Sequence, residues 1–336
     1  MKFYEWYEKW FRLYRFPRIS VASQRIYFTN LRILENSTLG NLPLSKVTRA
    51  TIQQHVSSYG KNVAKKTITD HAKTIDSALE DAVVDGLIPF NPYMRITISS
   101  KENSFSPDDW KKQREEKKWL EEAEFLNLKE FLEEQLDRDL NIEPYLTIQT
   151  NRTSSKPSSQ TELMVLLLQV KTGARFSEIL GLKPSDIGFA DSTLTIERTW
   201  DYKFTHEFGN TKNPASVRTI LLDSDTADLL SQYLEWSSKY GVVKKEDSLF
   251  IEYGKVYHNF NFNETLRNIL DGLEIEYVSM HKLRHSHASY LLAKGIPIEV
   301  ISKRLGHRDT NMVRTTYGHL FDSVYAEESQ KIIALL

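Results

Sequence analysis

His281-Lys282-Leu283-Arg284-His285 opens a stretch whose apolar positions, Leu283, Ala288, Leu291 and Leu292, fall at helical spacing. His281 and Arg284 are three residues apart and so share one face of the first turn. That turn also offers backbone N–H groups with no partner in the helix and the positive end of the dipole, a natural seat for a phosphate. A second element is Leu305-Gly306-His307, followed ten residues later by Tyr317 within Thr315-Thr316-Tyr317-Gly318-His319. The third is Thr172-Gly173-Ala174-Arg175-Phe176-Ser177-Glu178, where Arg175 sits just past a glycine turn and Glu178 lies one helical turn on. The fourth is Lys212 in Asn210-Thr211-Lys212-Asn213, near the tip of an expected hairpin. Each has an ordinary reading by itself: a solvated basic helix, a packed tyrosine, a loop lysine, a surface Arg–Glu pair worth under ~1 kcal/mol.

The elements that would carry these residues follow from periodicity. Phe3, Tyr4, Tyr7, Trp10, Phe11 and Tyr14 recur at helical spacing, and Pro17 closes the segment. Further helices are expected over about 24–34, 48–57 and 64–85, the last stopping at Gly86. Pro89-Phe90-Asn91-Pro92 ends this helical domain, which we place at 1–98. A polar linker at 99–116 leads to a mixed domain at 117–336. It should hold a helix at 121–136, a Ser/Thr/Asn-rich loop at 149–160 and a helix at 161–171 with Gly173 as its left-handed cap. Strands are expected at 193–199 and 217–222, with helices over 225–239, 258–271, 281–294, 297–305, 309–316 and 323–335. The fold class is mainly α with a small antiparallel sheet, an α+β protein.

Composition narrows the chemistry. The net charge is -1, yet residues 1–100 hold 14 Lys and Arg against 8 Asp and Glu. That imbalance suits a surface facing a polyanion. The chain has no cysteine, which removes disulfides, thiolate metal sites and thiol catalysis. No apolar run approaches the ~20 residues of a membrane span, and the N-terminus lacks the apolar core of a signal peptide. The expectation is a cytoplasmic protein without membrane contact.

The order Arg, hairpin Lys, His-x-Leu-Arg-His, Leu-Gly-His and Tyr resembles the tyrosine recombinase (phage integrase) family, including integrases of phages and integrative mobile elements. The resemblance covers nearly the whole chain. Residues 1–98 are similar to the core-binding domain and those from about 117 onward to the catalytic domain. It implies a site-specific recombinase that cleaves and rejoins double-stranded DNA through a 3′-phosphotyrosine on Tyr317. Arg175 and Arg284 would clamp the non-bridging oxygens, and Lys212 would protonate the leaving 5′-oxygen. His281 would bond the phosphate or help the Tyr317 proton leave, and His307 would add a hydrogen bond. Glu178 is expected to buttress Arg175, with His285 as structural support. No cofactor is implied, and with these cations at the phosphate no metal is needed. In the first domain Arg18, Arg25, Lys61, Lys65, Lys66 and Arg95 are the expected phosphate contacts, and Thr67 and Thr69 reach a base edge or a phosphate.

Val324, Ile332, Ile333, Leu335 and Leu336 form an apolar stripe on the terminal helix. The resemblance implies that it docks on a neighbouring protomer, closing a ring of four on two DNA sites, with a directionality factor as a further partner. Because the chain begins directly at the core-binding helices, a Xer-like chromosome dimer resolvase or a trimmed integrase both fit. Rival readings are a type IB topoisomerase-like relaxing enzyme and a non-catalytic DNA-binding regulator.

Overall fold

The computed structural model describes residues 1–106, 108–109, 117–141, 156–311 and 313–314. They belong to two compact units that divide between Glu116 and Lys117.

In the first unit, α1 (Phe3–Trp10) runs on through a wider turn at Phe11–Arg15 into a 3₁₀ turn at Phe16–Arg18 containing Pro17. Ser20 caps α2 (Val21–Glu35), and its hydroxyl accepts the Ser23 N–H. A four-residue helix the periodicity did not suggest, α3 (Thr38–Asn41), is capped by Ser37. Thr48 caps α4 (Arg49–Gly60), and α5 covers Lys65–Val84. Of the aromatic stripe foreseen on the first helix, Phe3, Tyr7, Trp10 and Phe11 are buried in the core against Leu34, Ile52, Val56, Ile68 and Ile75, joined by Trp6, which was not foreseen, while Tyr4 and Tyr14 are only partly buried. Burial of such rings is the main stabilising term here, roughly 1.5–3 kcal/mol per large apolar side chain. The chain stays with this unit beyond residue 99, because the Glu102 carboxylate accepts the Lys65 N–H at the start of α5.

A directed chain of hydrogen bonds ties α2, α4 and α5 together inside this unit. The Thr74 hydroxyl donates to the His71 carbonyl at 2.7 Å and accepts from the Asn30 amide at 3.3 Å. Asn30 Oδ1 is then left to accept from His71 Nδ1 at 3.0 Å. With Nδ1 as donor, the neutral His71 ring accepts at Nε2, so His55 Nε2–H donates across 2.9 Å. Both rings are buried.

In the second unit, α6 (Glu122–Asn141) packs on α7 (Ser159–Thr172). Every residue of α7 from Gln160 to Val170 is buried, as expected of a helix apolar almost all round. The short α8 (Phe176–Leu180) follows the Gly173 cap, and α9 (Ser224–Lys239), α10 (Asn259–Gly272), α11 (Met280–Ala293) and α12 (Ile298–Leu305) complete the described helices.

The strands depart from expectation. The run expected at 193–199 is two strands, β2 (Thr193–Ile196) and β3 (Arg198–Trp200), in separate sheets. One antiparallel sheet has the order β1 (Ile187–Gly188), β2, β5 (Arg218–Leu221); in the other, β3 pairs with β4 (Phe208–Asn210). The hairpin therefore turns at 201–207, where the Asp201 carboxylate gathers the N–H groups of Lys203 and Phe204 at 3.0 and 3.1 Å. Lys212 is not at that tip. It lies beyond β4, just before a 3₁₀ turn at Pro214–Ser216. Most of the expected 149–160 loop and the whole 323–335 helix lie outside the described residues, and the 309–316 segment is helical at Asn311, Val313 and Arg314.

Candidate active site

Arg284 is where the second unit's site is assembled. It is 4% exposed on α11, and its Nη1 donates to the Gly173 carbonyl while Nη2 donates to the Leu305 carbonyl, each at 2.7 Å. Gly173 caps α7 two residues before Arg175, and Leu305 ends α12 two residues before His307. His281 precedes Arg284 by one turn of its own helix. One guanidinium thus draws three separated sequence elements to a common point. The start of α11 is itself pinned, because Asn263 Oδ1 accepts the Met280 N–H at 2.8 Å and Gln169 donates to the Met280 carbonyl at 2.7 Å.

Glycine is required at both approaches. Gly173 has φ +65°, and a Cβ there would lie 2.7 Å from both the His287 ring and Leu305 Cδ2. Gly306 has φ +70°, and a Cβ there would sit 2.9 Å from Arg218 Nη1. Only a residue without a side chain lets these turns meet the buried basic groups so closely.

Glu178 receives Arg175 twice. Its Oε2 accepts the Arg175 N–H at 2.9 Å and its Oε1 accepts Arg175 Nη1 at 2.6 Å. Burial alone would raise this carboxyl, but the guanidinium groups of Arg218 and Arg175 outweigh it and hold the group below the usual carboxylate range.

The histidines report the field at this point. Burial, then Arg284, Arg175 and Arg218, push His307 down to about 4. Burial, then Arg284 and Arg175, lower His281 as well. His285 falls to about 4 through burial, His281 and Arg284, and its ring meets that of His281 edge-on at 5.1 Å. His307 Nδ1 is buried without a hydrogen-bond partner among the described residues. The same guanidinium groups therefore bear on both His281 and His307, so positive charge is concentrated where an anion would relieve it.

Of the expected site residues, Arg175, Glu178, His281, Arg284, His285 and His307 come together. Lys212 is exposed, and its link to the cluster is through the chain: four residues on, the Ser216 hydroxyl donates to the Gly306 carbonyl at 3.5 Å. Tyr317 lies outside the described residues. In the first unit Arg18, Arg25, Lys61, Lys65, Lys66, Thr67 and Arg95 are exposed. Lys66 is paired with Asp70 at 3.1 Å, while the Thr69 hydroxyl is turned back onto the Lys65 carbonyl at 2.7 Å.

Three groups were not foreseen, two of them buried and Arg304 half-buried. Arg218 bonds Glu178 and is described further below. His287 Nδ1 donates to the Val170 carbonyl at 2.8 Å, and its Nε2 accepts from Arg304 Nε at 3.2 Å. Burial, with Arg304 next, takes His287 down to about 3, so it serves as a neutral strut under Gly173. Arg304 also donates to the Lys171 carbonyl at 3.0 Å, fastening α12 to the end of α7.

A helical unit is followed by an α+β unit in which the Arg284 and Arg175 guanidinium groups act on both His281 and His307. The phage integrase family profile matches residues 139–323, and the chain belongs to that family. It is 28% identical over 177 residues to a XerC-like tyrosine recombinase of Caldanaerobacter subterraneus, covering 46% of this chain and 45% of the relative. It is 28% identical over 182 residues to the integrase of Staphylococcus phage L54a, covering 50% and 51%. With a probable integrase/recombinase of Methanocaldococcus jannaschii it shares 28% over 231 residues, covering 62% and 64%. The chain thus matches about half to two thirds of the length of these relatives. In fold it is similar to the Tn1549 transposon integrase solved with transposon right end DNA, at TM-score 0.71 and 18% identity over 98% of this chain and 99% of that one. XerH site-specific recombinase bound to a palindromic substrate follows at TM-score 0.59 and 18% identity, over 99% and 96%.

Proposed function

We propose that this chain is a site-specific DNA recombinase that integrates or excises a phage or mobile element. The observation that carries the reading is the convergence of Arg175, His281 and His307 around Arg284. A phosphodiester has two non-bridging oxygens and gains negative charge as a fifth oxygen approaches phosphorus. Fixed guanidinium donors match that charge better than they match the ground state.

In the proposed step, Tyr317 Oη bonds to phosphorus and the P–O5′ bond breaks, leaving a 3′-phosphotyrosine and a free 5′-hydroxyl. Lys212 delivers the proton that the 5′-oxygen takes up, and His281 receives the phenolic proton. His307 donates to a non-bridging oxygen. Attack by a 5′-hydroxyl of another strand reverses these transfers, so the phosphodiester is conserved without ATP. The exposed cations of the first unit would hold the duplex through phosphate contacts. Four copies linked by the terminal helix, a directionality factor and a cytoplasmic setting complete the reading.

The test uses a nicked duplex carrying the sequence that the protein selects from a randomised pool. A protein–DNA adduct that survives denaturation and maps to Tyr317 is expected, and Tyr317→Phe should abolish it with DNA binding retained. An adduct at another tyrosine, or one that needs an added divalent metal, refutes the assignment. Strand exchange between two sites separates recombination from simple relaxation of a supercoiled plasmid. Unchanged activity of Tyr317→Phe would identify a non-catalytic regulator.

A further inference from the structure

We infer that Arg218 is a positioning residue for this site, joining the element that bears Arg175 to the element that bears His307. The inference rests on the recombinase reading above. Arg218 is the first residue of β5 and is 8% exposed, on the face of the strand that points into the core. Its backbone partner across the sheet is Ile196.

All three of its nitrogens are engaged, each with a different element. Nε donates to the Arg304 carbonyl near the end of α12 at 2.6 Å. Nη1 donates to the Ser216 carbonyl in the 3₁₀ turn that follows Lys212, at 2.8 Å. Nη2 donates to Glu178 Oε2 on α8 at 3.0 Å. A planar fork with fixed donor directions can serve three acceptors at once, whereas an ammonium on a flexible stem cannot reproduce that geometry. The Gly306 turn leaves the room for the guanidinium that a Cβ would close.

The second contribution is charge. Glu178 has two oxygens facing two guanidinium groups, Arg175 from its own helix and Arg218 from β5. With Arg218 in place, one cation balances the carboxylate and the positive charge of Arg175 remains for an incoming phosphate. Without it, Arg175 alone would face the whole carboxylate, and its charge toward DNA would be largely cancelled. Arg218 thereby sets both the place of the reactive groups and the net charge they present.

The experiment measures single-turnover formation of the covalent adduct on the selected nicked duplex, with protein in saturating excess, alongside DNA affinity. Arg218→Lys is expected to bind DNA within about threefold of the wild type and to cleave about 10–100-fold more slowly, by analogy with groups that orient metal ligands. Arg218→Met should in addition alter the pH profile. With Glu178 unbalanced, the ratio of its rate to that of the wild type should rise as pH falls through one ionisation. That ionisation should be absent from the double variant Glu178→Gln, Arg218→Met, which reads whether the effect runs through the carboxylate. Wild-type rates in both single variants overturn the inference, as does a ratio that does not change with pH in a folded Arg218→Met protein. If Arg218→Met does not fold, the rate of Arg218→Lys decides the matter. Wild-type protein that forms no adduct overturns the recombinase reading and this inference together; an active wild type with unaffected variants overturns this one alone.

Discussion

Acidification should unfasten the helical unit before it affects anything else there, because His55 and His71 are buried as neutral rings. Burial lowers His55 to about 4, and burial with the neighbouring His55 lowers His71 to about 3. In the unfolded chain both return to the ordinary value near 6.5. The folded state disfavours the charged form, so the unfolded chain binds more protons below pH 6.5. Stability is full above that value and is lost as pH falls toward the folded values. At pH 4.5, two units below the unfolded value, keeping one ring neutral costs ~2–3 kcal/mol and keeping both costs on the order of 4–6 kcal/mol. Set against the 5–15 kcal/mol typical of a domain, the helical unit should become marginal, with a melting temperature lower by roughly 15–30 °C. Hydrogen exchange on peptides covering α4 and α5, corrected for intrinsic rate and compared at pH 7.5 and 4.5, measures this directly. The double variant His55→Gln, His71→Gln removes the titration, and its opening free energy should stay level over the same interval to within ~1 kcal/mol. The reasoning is refuted if wild type and variant lose equal protection, or if proton NMR finds either ring titrating near pH 6.5.

Other outcomes follow from the site. Arg175→Lys should slow adduct formation by ~10²–10³-fold while leaving DNA binding nearly unchanged, because the lost fork acts most strongly on the transition state; single-turnover cleavage checks it. Lys212→Ala should be inactive on ordinary DNA yet regain cleavage on a duplex with sulfur at the bridging 5′ position, since a thiolate leaves without a proton; failure of that rescue removes Lys212 from the role of acid. Gly173→Ala must hold a non-glycine residue at φ +65° and push a methyl against His287 and Leu305, both 2.7 Å away. A loss of at least ~1–3 kcal/mol in chemical denaturation is expected, together with slower cleavage.

Much of the scaffold was legible because apolar period and end signals agreed. The buried helix before Gly173 and the helix that begins at Met280 are examples, and their ends carry the glycine cap and the histidine cluster. Lys212 was placed wrongly for a local reason. Nothing in Thr193–Thr199 announces that pairing switches sheets at Glu197, and the turn-forming role of Asp201 depends on its side chain reaching three residues ahead. Arg218 was illegible for a different reason. In Val217-Arg218-Thr219-Ile220-Leu221 either face of the strand can be read as apolar, and alternation would normally send an arginine outward. The structure exposes Val217 and Leu221 at 50% and 70% and buries Arg218 instead. Its partner Glu178, distant in sequence, balances its charge, and the carbonyls of Arg304 and Ser216 satisfy its other donors, which makes that arrangement tolerable. The His55–His71 pair was hidden in the same way, since the two rings meet across neighbouring helices and each alone looks like a polar position on an amphipathic face.

The carbonyls that hold Arg284 come from the Gly173 cap just past α7 and from Leu305, the last residue of α12. Each helix terminus carries a partial negative charge of about half an electron, worth ~0.3–2 kcal/mol to a cation beside it. Two such ends offset much of one full positive charge. A carboxylate in their place would swing, protonate and compete with a phosphodiester for the same donors. Peptide carbonyls cannot do so, being fixed by the helices themselves. On the reading proposed above, these two backbone braces stay in place when a DNA phosphate arrives, and Arg284 needs no rearrangement of either helix to meet it.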